Sequence, residues 1–274
     1  MRMIAKDMPN VKVFEFEDWD GDNYHSWEMG ADAIRNSIGK KIDFVFGSEP
    51  SYRKIFAEIH PEAEYILIDA GRKYFPISST QIRKEGPYKH WHMLPDAVRP
   101  SFVKKVVVVG TESCGKSTLV KSLARTFDTT YVEEFGRTIC EEVGGIPTLE
   151  HYPFIAYGHK MAERKACKTA NRVVFLDTEV LTTMYYKNLY TKEFWSDLLY
   201  VEMARHQKYD LWIFLEPDVA WVDDGLRQNA SDREKQYITL RRLLDSRSIK
   251  YELVGGNYQE RYMKSLDLVN NLLL

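Results

Sequence analysis

Cysteine is scarce in this chain of 274 residues, with Cys114, Cys140 and Cys167 as its full complement. An odd number, without CxxC spacing or an adjoining histidine cluster, excludes a disulfide framework and a zinc site, and fits a reducing, cytosolic setting. Charge of one sign is not in excess either: 38 basic against 40 acidic residues leave a net charge of -2 and a pI near 6.4. Such a balance lacks the basic footprint that a nucleic-acid backbone requires, so nucleic acid is not expected as a partner. Long apolar runs are missing as well. The longest are strand-sized, such as Val106 to Val109, and the opening MRMIAKDMPN has no signal-peptide core, so neither a membrane segment nor an export signal is expected. Low-complexity tracts and internal repeats are also absent.

What is present is ordinary globular composition, 44% hydrophobic and 28% charged. The length suggests two α/β units of roughly 100 and 170 residues. In the first, β-type runs at Val11 to Phe16, Phe44 to Phe46 and Tyr65 to Ile68 alternate with helix-type stretches at Glu28 to Ile38 and Tyr52 to Ile59, a pattern expected of a parallel sheet. The segment GPYKHWHMLPDAVRPSF, with three prolines and no clean period, reads as a connector and places the boundary near Ser101. The second unit, 101–274, restarts with KKVVVVG, a continuous β-branched run typical of a strand covered on both faces. Further strands are expected at Thr130 to Val132, Arg172 to Leu176, Leu211 to Leu215 and Lys250 to Val254, with helices such as Ser117 to Phe127 and Tyr157 to Thr169 between them. That order is a doubly wound α/β fold.

Gly110 to Ser117 reads GTESCGKS, a complete GxxxxGK[ST] phosphate loop set between a strand and a helix. Gly110 and Gly115 let the backbone curl, so the N–H groups of Glu112, Ser113 and their neighbours, with Thr118 on the opening helix turn, face the phosphates of ATP. Lys116 brings a mobile charge to the β- and γ-phosphates, and Ser117 offers a hydroxyl to Mg²⁺. Asp177 ends the apolar strand RVVFL, where a carboxylate completes the Mg²⁺ shell; read alone, it could equally be a solvated turn.

Glu133, Glu134 and Arg137 follow the next strand at the carboxyl edge, where open α/β sheets bind ligands. Glu134 would activate or contact the acceptor hydroxyl and Arg137 would meet a phosphate; the plainer reading is acids that complement a helix dipole. WVDDGLR, with Arg227 in it and Arg233 six residues on, has the character of an arginine-bearing lid or of a charged loop. Asp224 falls in the same segment, and Trp221 and Tyr258 could stack on a planar ligand or simply pack.

In this order and spacing, GTESCGKST, EEFGR, FLDTE, WVDDGLR and GGNYQERY resemble the ribosylnicotinamide kinase domain of the bifunctional NadR family, over Lys104 to Leu274. The resemblance implies phosphorylation of nicotinamide riboside by ATP and Mg²⁺, with Trp221 and Tyr258 enclosing the nicotinamide ring. It also implies substrate contacts from Glu134, Arg137 and Asp224. The first 100 residues are similar to the latter part of that family's adenylyltransferase domain, a Rossmann-like nucleotidyltransferase. FGSEP and ISSTQIR carry this likeness; in the latter, Ser78, Ser79, Thr80 and Arg83 would face ATP phosphates, or merely cap a helix. The family's GxFxPxHxGH-type loop is not in these residues, which implies that adenylyl transfer is lost or depends on a complementing chain, and that exposed sheet edge favours oligomerisation. Two other readings remain open, a kinase for another nucleoside and a nucleotide-sensing module.

Overall fold

The structure is a computed structural model that describes residues 1–16, 24–194, 197–220 and 232–274. It divides into two compact units, Met1–Val98 and Arg99–Leu274.

The first unit contains α1 (Tyr24–Ile38), β1 (Phe44–Gly47), α2 (Tyr52–Ile59), β2 (Glu64–Leu67) and α3 (Ser79–Glu85). β1 and β2 run parallel, Phe44 opposite Glu64, with α2 as the crossover, so the pair is a βαβ unit. Aromatic rings rather than aliphatic layers hold it together. Phe56 of α2 stacks on Tyr65 of β2 at 5.4 Å, and Trp27 of α1 meets Tyr52 at 5.3 Å. The expected strand at Val11 to Phe16 is not formed: the backbone there is irregular, and Val11, Phe14 and Phe16 are exposed. A strand is stabilised by its neighbours' hydrogen bonds, and the described sheet of this unit holds only β1 and β2. The ISSTQIR segment does open a helix. Ser78 caps α3, its Oγ accepting the Gln81 N–H at 3.0 Å.

The second unit contains β3 (Lys104–Val109), α4 (Lys116–Thr126), β4 (Tyr131–Val132), α5 (Phe135–Val143), α6 (His151–Cys167), β5 (Val173–Asp177), α7 (Val180–Thr191), α8 (Asp197–Arg205), β6 (Leu211–Leu215), α9 (Arg233–Ser246), β7 (Glu252–Val254) and α10 (Tyr258–Leu272). Its sheet has the order β4-β5-β3-β6-β7, and all pairings are parallel. The strands expected in this unit all form. α6 begins six residues earlier than the periodicity indicated, because Pro153 lies in its first turn, where the missing N–H has no partner to lose.

Strand alternation sorts the core into two layers. Val106, Val108, Val173, Phe175, Ile213 and Leu215 meet Leu119, Val120 and Leu123 of α4 and Val269 of α10 on one face. On the other, Phe214 packs on Tyr237 of α9 at 5.0 Å between centroids. Each such fully buried side chain contributes about 1.5–3 kcal/mol over exposure, which fixes β3 at the centre of the sheet. Its carboxyl end therefore meets the carboxyl ends of β5 and β6 along one rigid edge. Among the described residues, no helix is long and apolar enough to cross a membrane.

Candidate active site

The loop after β3 turns on glycine. Gly115 has φ +87°, a conformation strained for any side chain, and a Cβ there would crowd the ring of Tyr258, 3.1 Å from its Cε1. At Gly110 a Cβ would stand 2.7 Å from the Cys114 sulfur. Ser113 also takes a positive φ of +58°, a strained conformation of the kind that clusters at ligand-binding loops.

Two arginines brace this loop from outside. Arg261 of α10 donates to the carbonyl of Cys114, to Gly256 O at 2.7 Å and to Glu216 O at 2.8 Å, and pairs with Asp218. Arg233 of α9 donates to Ser113 O at 3.1 Å and Val219 O at 2.6 Å.

Lys116 is buried and its Nζ donates to Thr111 O at 2.9 Å, so the ammonium folds back over the loop. Burial works against that charge, and the Cys114 sulfur with the carboxylates of Glu134, Asp177 and Glu112 more than offsets it, holding the lysine pKa above its usual value. The next residue reaches the neighbouring strand: Ser117 Oγ donates to Asp177 Oδ2 at 2.5 Å. Burial, reinforced by Glu134 nearby, pushes the Asp177 carboxyl up to about 6. Its other oxygen, Oδ1, is buried and has no hydrogen-bond partner.

A serine hydroxyl and an unpaired carboxylate oxygen converging at a phosphate loop suit a hard divalent cation that keeps most of its waters. Among the described residues there is no cluster of three acidic, histidine or cysteine side chains, the arrangement a dedicated protein cage for a metal would need.

The chain around Asp177 is itself constrained. Thr178 has φ +69° and donates its N–H to Val108 O at 3.0 Å, tying the end of β5 to β3. Glu179 turns back to cap α7, accepting the N–H groups of Leu181 and Thr182 at 2.6 and 2.7 Å. Burial raises its carboxyl to about 7 despite those bonds.

The two acids after β4 part company. Glu133 pairs with Lys121 on the surface at 2.8 Å. Glu134 occupies the N-cap position of α5 yet makes no capping hydrogen bond, and its side chain lines a cavity of about 320 Å³ instead.

That cavity gathers many of the side chains singled out from sequence: Glu112, Ser113, Gly115, Lys116, Ser117 and Thr118 from the loop, Glu134 and Arg137 from α5, and Tyr258 from α10. Asp177 sits behind Ser117, and Gly110 lies at the base of the loop, where Tyr186 donates its hydroxyl to the Gly110 carbonyl at 3.4 Å. Trp221, Asp224 and Arg227 lie outside the described residues. Ser78, Ser79, Thr80 and Arg83 belong to the first unit, where Arg83 reaches Thr80 Oγ1 at 3.3 Å.

Sequence reasoning missed part of the cavity lining, made by Tyr152 and His159 of α6 and by Thr183, Tyr186 and Tyr190 of α7. The one signal for it was the helical spacing of Tyr186 and Tyr190, which a buried core face shows equally. His159 is neutral because burial lowers its pKa, and its Nε2 lies 3.2 Å from the Asp177 carbonyl. A neutral ring facing a carbonyl donates through that nitrogen, which leaves Nδ1 as a buried acceptor without a partner.

Comparison with known proteins agrees with this architecture. The AAA domain family matches residues 105–261. The trifunctional NAD biosynthesis/regulator protein NadR of Escherichia coli (strain K12) is 32% identical over 96% of this chain, and NadR of Salmonella typhimurium (strain LT2) matches at the same level. The chain spans 66% of the length of these relatives. Among solved structures, a NadR protein in complex with NR superposes with a TM-score of 0.80 at 24% identity, covering 99% of this chain and 81% of that one. A NadR protein in complex with NAD and AMP-PNP gives 0.79 at 23% identity. With a complete phosphate loop at the carboxyl edge of a parallel sheet and a matching family profile over more than half its length, this chain belongs to the AAA domain family, as a homologue of the NadR proteins.

Proposed function

We propose that the second unit phosphorylates nicotinamide riboside with ATP to give nicotinamide mononucleotide, a step of NAD biosynthesis. The observation that carries this reading is the convergence of Lys116, Ser117 and Glu134 on one cavity, with Asp177 hydrogen-bonded behind Ser117. A phosphate loop alone would serve any nucleotide binder. A second carboxylate with no capping duty, lining the same cavity as that loop, suits a hydroxyl acceptor.

In the proposed reaction the acceptor hydroxyl oxygen bonds to the γ-phosphorus as the bond from that phosphorus to the bridging oxygen breaks. ADP leaves with the electron pair, and Glu134 takes the hydroxyl proton. Lys116 and the loop N–H groups meet charge that grows on the phosphate oxygens, so their effect falls on the transition state. Ser117 and Asp177 would hold Mg²⁺, whose chemistry when bound is to neutralise the β- and γ-phosphate oxygens. Arg137 lines the same cavity and is assigned to the acceptor side. Trp221 is assigned to stacking on the nicotinamide ring and Asp224 to substrate binding from the family resemblance, and Arg227 to the transferring phosphoryl group from the arginine-bearing character of its segment.

Residues 1–100 are proposed as a partial adenylyltransferase-like domain, with Ser78, Ser79, Thr80 and Arg83 as the remnant of its phosphate cradle.

The test uses the purified 274-residue chain with Mg²⁺-ATP, a panel of nicotinamide riboside, thymidine and uridine, and product identification by mass. Nicotinamide mononucleotide is the expected product. Lys116→Ala should lower its rate by about 10²-fold or more. Turnover of thymidine or uridine without nicotinamide riboside would establish the other nucleoside-kinase reading. Binding without turnover of any nucleoside would establish the sensing one.

A further inference from the structure

The carbonyls of two consecutive phosphate-loop residues are held from the side away from the cavity. Arg233 donates to Ser113 O and Arg261 to Cys114 O, and neither arginine is among the residues lining the cavity, whereas Ser113, Cys114 and Gly115 are. Both peptides are trans, so each N–H points opposite to the carbonyl it shares a plane with. The N–H groups of Cys114 and Gly115 are thereby turned toward the cavity. Ser113 and Gly115 take positive φ on either side of Cys114, which does not, and this alternation lets successive N–H groups converge as an anion-binding nest. The Cys114–Gly115 peptide is the weak point of that nest. Gly115 has no Cβ to restrict its φ, so the peptide can turn over at little steric cost and present its carbonyl to the polyphosphate in place of its N–H.

The surroundings of Arg261 oppose that turn. The residue is 2% exposed, and its guanidinium also donates to Gly256 O at 2.7 Å and to Glu216 O at 2.8 Å. Asp218 pairs with it through Oδ1 and accepts the Gly256 N–H at 2.5 Å through Oδ2, so the counter-ion is fixed from both sides. Turning the peptide over would leave a buried guanidinium N–H without its acceptor, which is costly. Resting on the kinase reading above only in that this loop holds the phosphates of ATP, we propose that Arg261, oriented by Asp218, is a positioning residue that locks the Cys114–Gly115 peptide with its N–H toward the donor phosphates. Both side chains act through the backbone of the loop rather than on the nucleotide.

The experiment separates phosphate binding from folding. Calorimetry gives Kd for AMP-PNP and for adenosine in the wild-type chain, Arg261→Met, Arg261→Lys and Asp218→Asn, alongside Tm and the kinetics with nicotinamide riboside. Arg261→Met keeps an unbranched side chain and removes the donors; it should weaken AMP-PNP by about tenfold or more while leaving adenosine within about twofold. Its kcat should fall with KM for nicotinamide riboside unchanged. Arg261→Lys, which retains the charge but offers no planar fork, should recover Tm and only part of the AMP-PNP affinity. Should Arg261→Met fail to fold, Asp218→Asn, whose amide oxygen still accepts one N–H, carries the test through the same ratio of affinities. A lowered Tm with unchanged AMP-PNP affinity, or equal loss of AMP-PNP and adenosine, would overturn the inference. A wild type that binds AMP-PNP and does not phosphorylate nicotinamide riboside would overturn the kinase reading, and the ratio of affinities would still decide this one.

Discussion

Asp177 is the residue on which the phosphate loop and the neighbouring strand depend together. Its Oδ2 holds Ser117 and its Oδ1 is left buried and unpaired, a cost of about 1–3 kcal/mol unless something occupies it. That cost makes sense at a cation site. Asp177→Asn keeps the shape and can still accept from Ser117, but an amide is a poorer partner for a hard cation. A higher apparent Mg²⁺ requirement or a lower kcat is therefore expected, read from rate against Mg²⁺ concentration at saturating ATP. An unchanged Mg²⁺ curve would remove Asp177 from the site. The same burial pushes the carboxyl up, so the site is built from a group that water would have kept more acidic.

At the scale of elements, the acceptor side depends on how α5 meets α6. Gly158 of α6 faces the ring of Phe135, the first residue of α5, and a Cβ on it would stand 2.2 Å from Cε1 of that ring. Alanine in place of glycine usually stabilises a helix interior by roughly 0.5–1 kcal/mol. Here overpacking, at about 1–3 kcal/mol, is the larger effect. Gly158→Ala should lower Tm and raise KM for the acceptor, because Phe135 lines the cavity beside Glu134 and has to move. A higher Tm with unchanged KM would mean that the ring is not seated against Gly158. Both the need for glycine at this crossing and the separation of Glu133 from Glu134 lie in helix packing. In sequence the two acids are equivalent neighbours, and Gly158 is one weak helix former among good ones.

At the scale of the whole molecule, the two units differ in what they bury. Among the described residues, the buried apolar ones of the first unit are Ala31, Ile59, Trp91 and Leu94, whereas the second buries whole strands, Val106–Val109 and Val173–Leu176 among them. Phe44 and Phe46 of β1 remain more than half exposed. Since stability follows buried apolar area, the first unit should unfold at the lower temperature. Calorimetry is expected to give two transitions, and Mg²⁺-ATP should raise only the upper one, because a ligand stabilises the unit that binds it. A single transition that shifts as a whole with ATP would show that the units unfold together.

The sequence by itself determined the chemistry of one edge. GTESCGKS, the apolar strand ending in Asp177 and the EEFGR segment are local patterns, and the conformations they need are set by glycine, by β-branched runs and by short-range hydrogen bonds. Strand positions in the second unit were legible for the same reason, since a buried parallel strand is a continuous apolar run. The tertiary structure alone decided which of two adjacent acids faces the cavity, that Tyr152, His159, Tyr186 and Tyr190 line it, and that Tyr190 donates its hydroxyl to Glu112. It also decided that Val11 to Phe16 stays irregular, although its residues favour a strand. In each case the outcome depends on partners distant along the chain. An aromatic residue at helical spacing looks the same whether it packs into a core or lines a pocket, and an apolar run becomes a strand only where another strand supplies its hydrogen bonds.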